Sequence, residues 1–230
     1  MKLIIDWKSF KRKGLKTEKN LFPVGLRAYK GYQGRGKSMS IIHDVLEIRE
    51  KFPNCVIFSN IKIEGIENYY FCKTDEDVYF GLSFENGKDG VINIIDEAHL
   101  FFNKKTGIGI DVLQQISQQR KERRKIMISS QIWEDLDISL RKQVPEIIKC
   151  WNIGNIQINK VSNGETLHYD KAKSEYVADT IAYRIYKRTN DLATKYDTYQ
   201  KIETNENYHR EFNTTFVIQN NIARPVEKKR

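Results

Sequence analysis

The sequence predicts an α/β fold, a parallel sheet with helices on both faces. Three observations predict it. Short apolar runs alternate with stretches of helical periodicity. A glycine-rich loop, Gly31-Tyr32-Gln33-Gly34-Arg35-Gly36-Lys37-Ser38, joins the first apolar run to the first helical stretch. A near-continuous apolar run, Val91 to Ile95, ends in two carboxylates, Asp96 and Glu97.

The first strand is expected over Val24–Tyr29. The helix after the loop carries Ile41, Ile42, Val45, Leu46 and Ile48 at near-helical spacing, and Pro53 stops it. Strand, glycine loop and helix are the setting that the pattern G-x-x-x-x-G-K-[ST], the P-loop, requires. Gly31, Gly34 and Gly36 let the backbone turn sharply, so that its N–H groups converge on phosphate oxygens. Arg35 and Met39 lie in the same run and would line the nucleotide. Lys37 would reach the β- and γ-phosphates as a point charge. Ser38 would offer its hydroxyl to Mg²⁺. The helix N-terminus adds a favourable dipole.

A second strand is expected over Cys55–Ile61. The run from Val91 to Ile95 reads as a strand covered on both faces. Asp96 at its end would hold Mg²⁺ through water or Ser38, and Glu97 would polarise an attacking water. Taken alone, the two carboxylates could instead cap a helix starting near Ala98. A helix is expected over residues 109–125, then a strand over Ile126–Gln131 that ends in a polar residue. Another strand follows over Glu146–Ile153. Ligands in such sheets sit beyond the carboxyl ends of the strands, where Ser38, Glu97 and Gln131 would meet. Beyond Gly154 the chain is polar. Ile181, Tyr183 and Ile185 alternate, a strand signal that either extends the sheet or forms a small appendage. The expected division is a basic arm over 1–22, an ATPase core over 23–155 and a C-terminal extension over 156–230. In that extension, residues 202–215 read as exposed loop and 224–230 as a frayed tail.

The 230 residues carry a net charge of +9, with 40% hydrophobic and 30% charged side chains. That balance suits a globular chain and makes an acidic partner worth considering. Cys55, Cys72 and Cys150 have neither disulfide nor zinc spacing, so a reduced setting is expected. His43, His99, His168 and His209 show no metal spacing and are given no chemistry. No stretch approaches the ~20 apolar residues that cross a bilayer, so no membrane span is expected.

The segments GYQGRGKS, VIFSNI, NIIDEAHLFF, QQRKERRKIMISSQ and LRKQVPEI, in this order, resemble the FtsK–HerA superfamily of P-loop ATPases. Its viral members are the nearest in pattern: phi-29-like phage packaging motors, archaeal-virus packaging ATPases and Zot-like proteins of filamentous phages. The match covers roughly residues 24–155, and Lys195–Gln200 is similar to a segment beyond the core. The resemblance implies a RecA/ASCE-like P-loop NTPase fold, with ATP and Mg²⁺ as cofactors. It implies catalysis by Glu97, γ-phosphate sensing by Gln131, and an arginine acting on the neighbouring subunit's ATP. Arg123 is favoured for that role, then Arg120; Arg124 and Arg141 are further candidates. A solvated helix end would explain two or three of the cations in RKERRK, through the helix dipole.

The same resemblance implies a homomeric ring, a pentamer in the phi-29-like case. The ring would drive double-stranded DNA into a viral procapsid at its portal, in some motors beside a packaging RNA. That would place the chain in the host cytoplasm and transiently at the portal vertex. Lys104 and Lys105 in the loop after the carboxylates are candidate DNA phosphate contacts. The basic N-terminal arm would touch a neighbouring subunit or nucleic acid. Two other readings stay open: a Zot-like assembly or secretion ATPase, and a nucleotide-switched P-loop binding protein.

Overall fold

The computed structural model describes residues 21–189, 192, 216–219 and 222–225. Residues 1–20 of the expected arm, Lys195–Gln200, the loop over 202–215, His209 and the end of the tail lie outside them. β1 (Gly25–Lys30) leads through the glycine loop into α1 (Lys37–Lys51). Next come β2 (Val56–Ser59), β3 (Tyr69–Phe71), α2 (Asp75–Ser83) and β4 (Val91–Ile95). Then follow α3 (Ile110–Gln118), β5 (Arg124–Ser130), α4 (Ile138–Arg141), β6 (Glu146–Ile153) and β7 (Ile156–Asn163). A small hairpin, β8 (His168–Asp170) and β9 (Glu175–Val177), precedes β10 (Thr180–Lys187). β11 (Phe216–Gln219) pairs with β12 (Ile222–Pro225), so Arg224 and Pro225 of the expected tail belong to a strand.

Eight strands form one sheet in the order β10-β7-β6-β1-β5-β4-β2-β3. The six from β6 to β3 run parallel. β7 and β10 extend the sheet antiparallel beyond β6. Each central strand is covered on both faces, which is why its sequence is continuously apolar. Leu26, Ala28, Ile95, Ile126 and Ile128 face Val78 and Leu82 of α2 and Ile116 of α3. Tyr29, Ile57, Ile92, Ile94 and Met127 face Met39, Ile41, Ile42 and Val45 of α1.

The helix expected over 109–125 stops at Gln118, and no helix starts at Ala98, where the chain turns instead. Arg123 takes a left-handed backbone, φ 49°, and the chain then enters β5 at Arg124. Arg124 is fully buried. Its guanidinium donates to the carbonyls of Phe84 and Gln115 and pairs with Glu122 at 2.5 Å. Lys125 is buried too; burial first, then the charge of Arg27, pushes its amine down to about 8. The second half of RKERRK is therefore the start of a core strand, because alternation carries its cations inward.

β10 is locked to α1 by charge. Buried Asp44 accepts from Tyr29 at 2.6 Å, Arg27 at 2.6 Å and Arg184 at 2.8 Å. Arg184 also reaches Glu47 at 2.6 Å. Burial alone would raise the Asp44 carboxyl. The His43 ring, 3.6 Å away, and the charges of Arg27 and Arg184 outweigh it and bring the group down from 3.8 to about 2. A depressed carboxyl stabilises the fold above its ordinary value, and that contribution is lost as pH falls from about 4 towards 2. Asp44→Ala takes the carboxylate from the buried Tyr29 hydroxyl and leaves each guanidinium with one carboxylate in place of two, Glu146 for Arg27 and Glu47 for Arg184, and is expected to cost about 1–3 kcal/mol. Urea midpoints at neutral pH measure the loss. The gap between variant and wild type should close as the pH approaches 2.

Candidate nucleotide site

The loop Gly31–Ser38 leaves the carboxyl end of β1 and opens α1. Gly31 lies so close to β6 that a Cβ there would sit 2.8 Å from the Cys150 carbonyl oxygen. Gly36 is left-handed, φ 82°, and a Cβ there would run into the amide of Gln157 on β7. Both positions therefore need glycine. Gln157 is fully buried, and its Nε2 donates to the Arg35 carbonyl at 3.0 Å. Asn159 anchors the same network through Ser40 at 3.0 Å. Gly34 and Arg35 sit at the exposed tip of the loop.

α1 begins without a side-chain cap and without an acidic residue in its first turn. Uncapped N–H groups at a helix start, with the dipole behind them, suit an anion. The Met39 side chain packs into the core beneath and receives the Nε of Arg188 at 3.2 Å. That leaves only its backbone to face a nucleotide bound at the loop.

The carboxylates meet the loop. Ser38 Oγ donates to Asp96, lying 3.2 Å and 3.4 Å from its two oxygens. The Ser129 hydroxyl donates to Asp96 as well. Asn60, just past β2, clamps the Asp96 backbone: its Oδ1 accepts from the amide at 2.7 Å and its Nδ2 donates to the carbonyl at 2.9 Å. Burial raises the Asp96 carboxyl above its ordinary value. The Ser129 hydrogen bond opposes this, the charge of Glu97 adds to it, and Lys37 opposes it again. A buried carboxylate beside a serine hydroxyl is hard oxygen chemistry, as Mg²⁺ prefers. A divalent cation there would also relieve the repulsion between the two carboxylates.

Glu97 has a left-handed backbone, φ 50°, held by its amide donating to Ser129 Oγ at 3.1 Å. Such conformations cost about 1–3 kcal/mol and persist only where surrounding bonds enforce them. Its carboxylate collects three groups. Gln131 Nε2 donates at 2.6 Å, Lys37 Nζ lies at 3.7 Å and His99 Nδ1 at 3.4 Å. The His99 ring also meets Ser130 Oγ at 3.3 Å. β5 lies between β1 and β4, so Gln131 at its end stands between the loop and the carboxylates.

Gly31, Gly34, Arg35, Gly36, Lys37, Ser38, Met39, Asp96, Glu97 and Gln131 thus gather at one end of the sheet. Arg120 and Arg123 do not join them. They precede β5 at its opposite end, and seven extended residues span about 23 Å. Arg124 is committed to the core, as described, and Arg141 stacks over the Tyr176 ring at 5.3 Å. Lys104 and Lys105 are both exposed, and Lys104 pairs with Asp135 at 2.9 Å in a surface ion pair. Sequence reasoning missed Asn60, His99, Ser129 and Gln157. Asn60 carries a local signal, a polar residue ending an apolar strand as Asp96 and Gln131 do.

No protein-family model matches the chain, and no curated protein does. Its likeness is to solved structures. The N-terminal domain of zonular occludens toxin from Neisseria meningitidis matches with a TM-score of 0.54 at 16% identity, over 75% of this chain and 98% of that one. The genome packaging NTPase B204 from Sulfolobus turreted icosahedral virus 2, in complex with ATP-gammaS, matches with a TM-score of 0.50 at 14% identity. That match covers 71% of this chain and 97% of the other. This chain has the α/β fold of a P-loop NTPase, similar to the fold of these two proteins.

Proposed function

We propose that the chain is a Mg²⁺-dependent ATPase that works as a homomeric ring and drives double-stranded DNA into a viral procapsid through its portal. One observation carries the ATPase reading: an uncapped loop-helix amide cluster, the Ser38–Asp96 pair and the Glu97–Gln131 pair meet at the ends of β1, β4 and β5. Lys37 and the amides of residues 36–39 hold the phosphates, and Ser38 with Asp96 holds the metal. Bound magnesium supplies charge neutralisation at the phosphate oxygens. Glu97 orients and deprotonates a water, and Gln131 fixes Glu97 and reads whether a γ-phosphate is present. The +9 charge suits a phosphate backbone gripped without sequence reading. Fold likeness to the genome packaging NTPase B204 supports the viral cargo. Work takes place in the host cytoplasm and at the portal vertex, with five subunits and a packaging RNA as the phi-29-like form of this reading.

Likeness to the zonular occludens toxin domain supports a second reading, an ATPase for filamentous-phage assembly at a membrane. Among the described residues, no helix is long and apolar enough to cross a membrane. Phosphate release measured with and without duplex DNA, and with procapsids, separates the readings. Stimulation by duplex DNA and assembly on procapsids are expected. Turnover that ignores DNA, in protein that sediments with membranes, favours the second. A bound nucleotide with no turnover under any condition leaves only a nucleotide-switched binding protein.

A further inference from the structure

Beyond Lys149, which the β8–β9 hairpin reaches through Glu175, no described helix covers the antiparallel end of the sheet face that α2, α3 and α4 cover elsewhere. The core on this face reaches Ile147 of β6 but includes no residue of β7 or β10 among those described. Register places Trp151, Ile158 and Ile185 in one row across the three strands. Ile153 and Ile156 form the next row with Lys187, and Lys149 and Lys160 form the row before with Tyr183. Cross-strand partners share a face, so this is one continuous patch. Ile153, Ile156, Tyr183 and Ile185 are 66%, 48%, 58% and 65% exposed. Trp151 and Tyr183 meet edge to face at 6.3 Å. β10 is also an edge strand, and an exposed apolar edge is a site where a chain pairs with something.

The opposite end of the same sheet presents a matching surface. α2 lies over β2 and β4 and buries Val78 and Leu82. Its outer side carries Asp75 and Glu76 above Tyr79 and Phe80, with the two rings 38% and 44% exposed. Carboxylates over aromatic rings on one end complement Lys160 and Lys187 around the isoleucines on the other.

We propose that the β6–β7–β10 face receives the outer side of α2 from a second copy of this chain. The two patches differ, so the contact is heterologous. Each copy in a pair keeps one unused patch of each kind, and growth continues to a closed ring or an open filament. Nucleic acid fits the open face less well. Its centre is aliphatic, the lysines stand at its margins, and Lys149 is paired with Glu175 at 3.3 Å. This inference deepens the ring reading by naming its interface. Self-association is measured without nucleotide, so its failure leaves the ATPase reading standing.

Sedimentation of the full chain tests it, with two variants. Ile185→Asp spoils the sheet face, and Asp75→Lys with Glu76→Lys reverses the helix. The wild type should form species larger than a dimer. Each variant alone should associate at least about tenfold more weakly, as loss of an interface anchor predicts. An equimolar mixture of the two should form a heterodimer and nothing larger, because the intact helix of one meets the intact sheet face of the other. Only folded variants can pair in this way, so misfolding cannot imitate the result. A wild type that stays monomeric at high concentration overturns the proposal. So does a mixture that remains monomeric. Ile185→Asp protein that assembles normally but loses a fluorescent DNA duplex assigns the face to nucleic acid and overturns it too.

Discussion

Glu97→Gln is expected to stop nucleotide turnover while leaving nucleotide bound. The amide has nearly the shape of the carboxylate, so the left-handed turn and the Ser129 contact to its backbone survive. What disappears is the charge that accepts a proton from water. Loss of a positioned general base lowers a rate by about 10²–10⁴. Binding should hold or tighten, because Lys37 no longer has a carboxylate 3.7 Å away to compete with phosphate. Phosphate release gives the first quantity, and titration with a fluorescent nucleotide gives the second. Mixed with wild type, the variant should suppress activity more than in proportion to its dose if subunits fire in coordination. Wild-type turnover in Glu97→Gln would move the base elsewhere and remove the central assignment.

Arg123→Ala should spare nucleotide binding and abolish hydrolysis only in the assembled protein. Arg123 cannot serve its own site, since the length of β5 separates them. Its backbone is left-handed at φ 49°, and its guanidinium donates to the Lys88 carbonyl at 3.2 Å. Lys88 and Lys121 line the same open pocket. A planar cation brought to a neighbour's γ-phosphate contributes about 10³–10⁵ in rate. Complementation provides the stringent check. Where interfaces fire independently, Arg123→Ala and Glu97→Gln proteins, each inactive, should regain partial activity when mixed, because some interfaces then join an intact arginine to an intact glutamate; where subunits fire in coordination, the mixture should stay inactive. If Arg120→Ala fails and Arg123→Ala does not, the same role passes to Arg120. If neither substitution affects turnover, no arginine from this end of β5 acts in trans.

The residues that chemistry places next to one another in sequence were legible. Gly31 to Ser38 and Asp96-Glu97 sit at strand ends, where apolar runs give way to polar groups. The residues that support them were not. Asn60 meets Asp96 only because β2 lies beside β4, and Ser129 meets it only because β5 lies on the other side. Strand order is a non-local property that one sequence does not display. β7 was hidden by an inverted pattern. Its buried positions include Gln157, Asn159 and Ser162, while Ile156 faces outward, so the usual apolar alternation is masked. α2 went unread: it is short, nine residues, and the structure shows it starting at a reciprocal cap between Thr74 and Asp77. Arg124 misled in the opposite direction: a cation at a helix end is the ordinary expectation, and here its partners are carbonyls brought from α3 and from the end of α2.

The glutamine beneath Gly36 couples two parts of the molecule that the chain order keeps 122 positions apart. A tug on the outermost strand would travel through one hydrogen-bonded ladder to that amide, and from there to the Arg35 carbonyl. The loop that would hold a triphosphate and the sheet's margin are thus joined at this hydrogen bond, beside the Asn159–Ser40 and Arg184–Asp44 links.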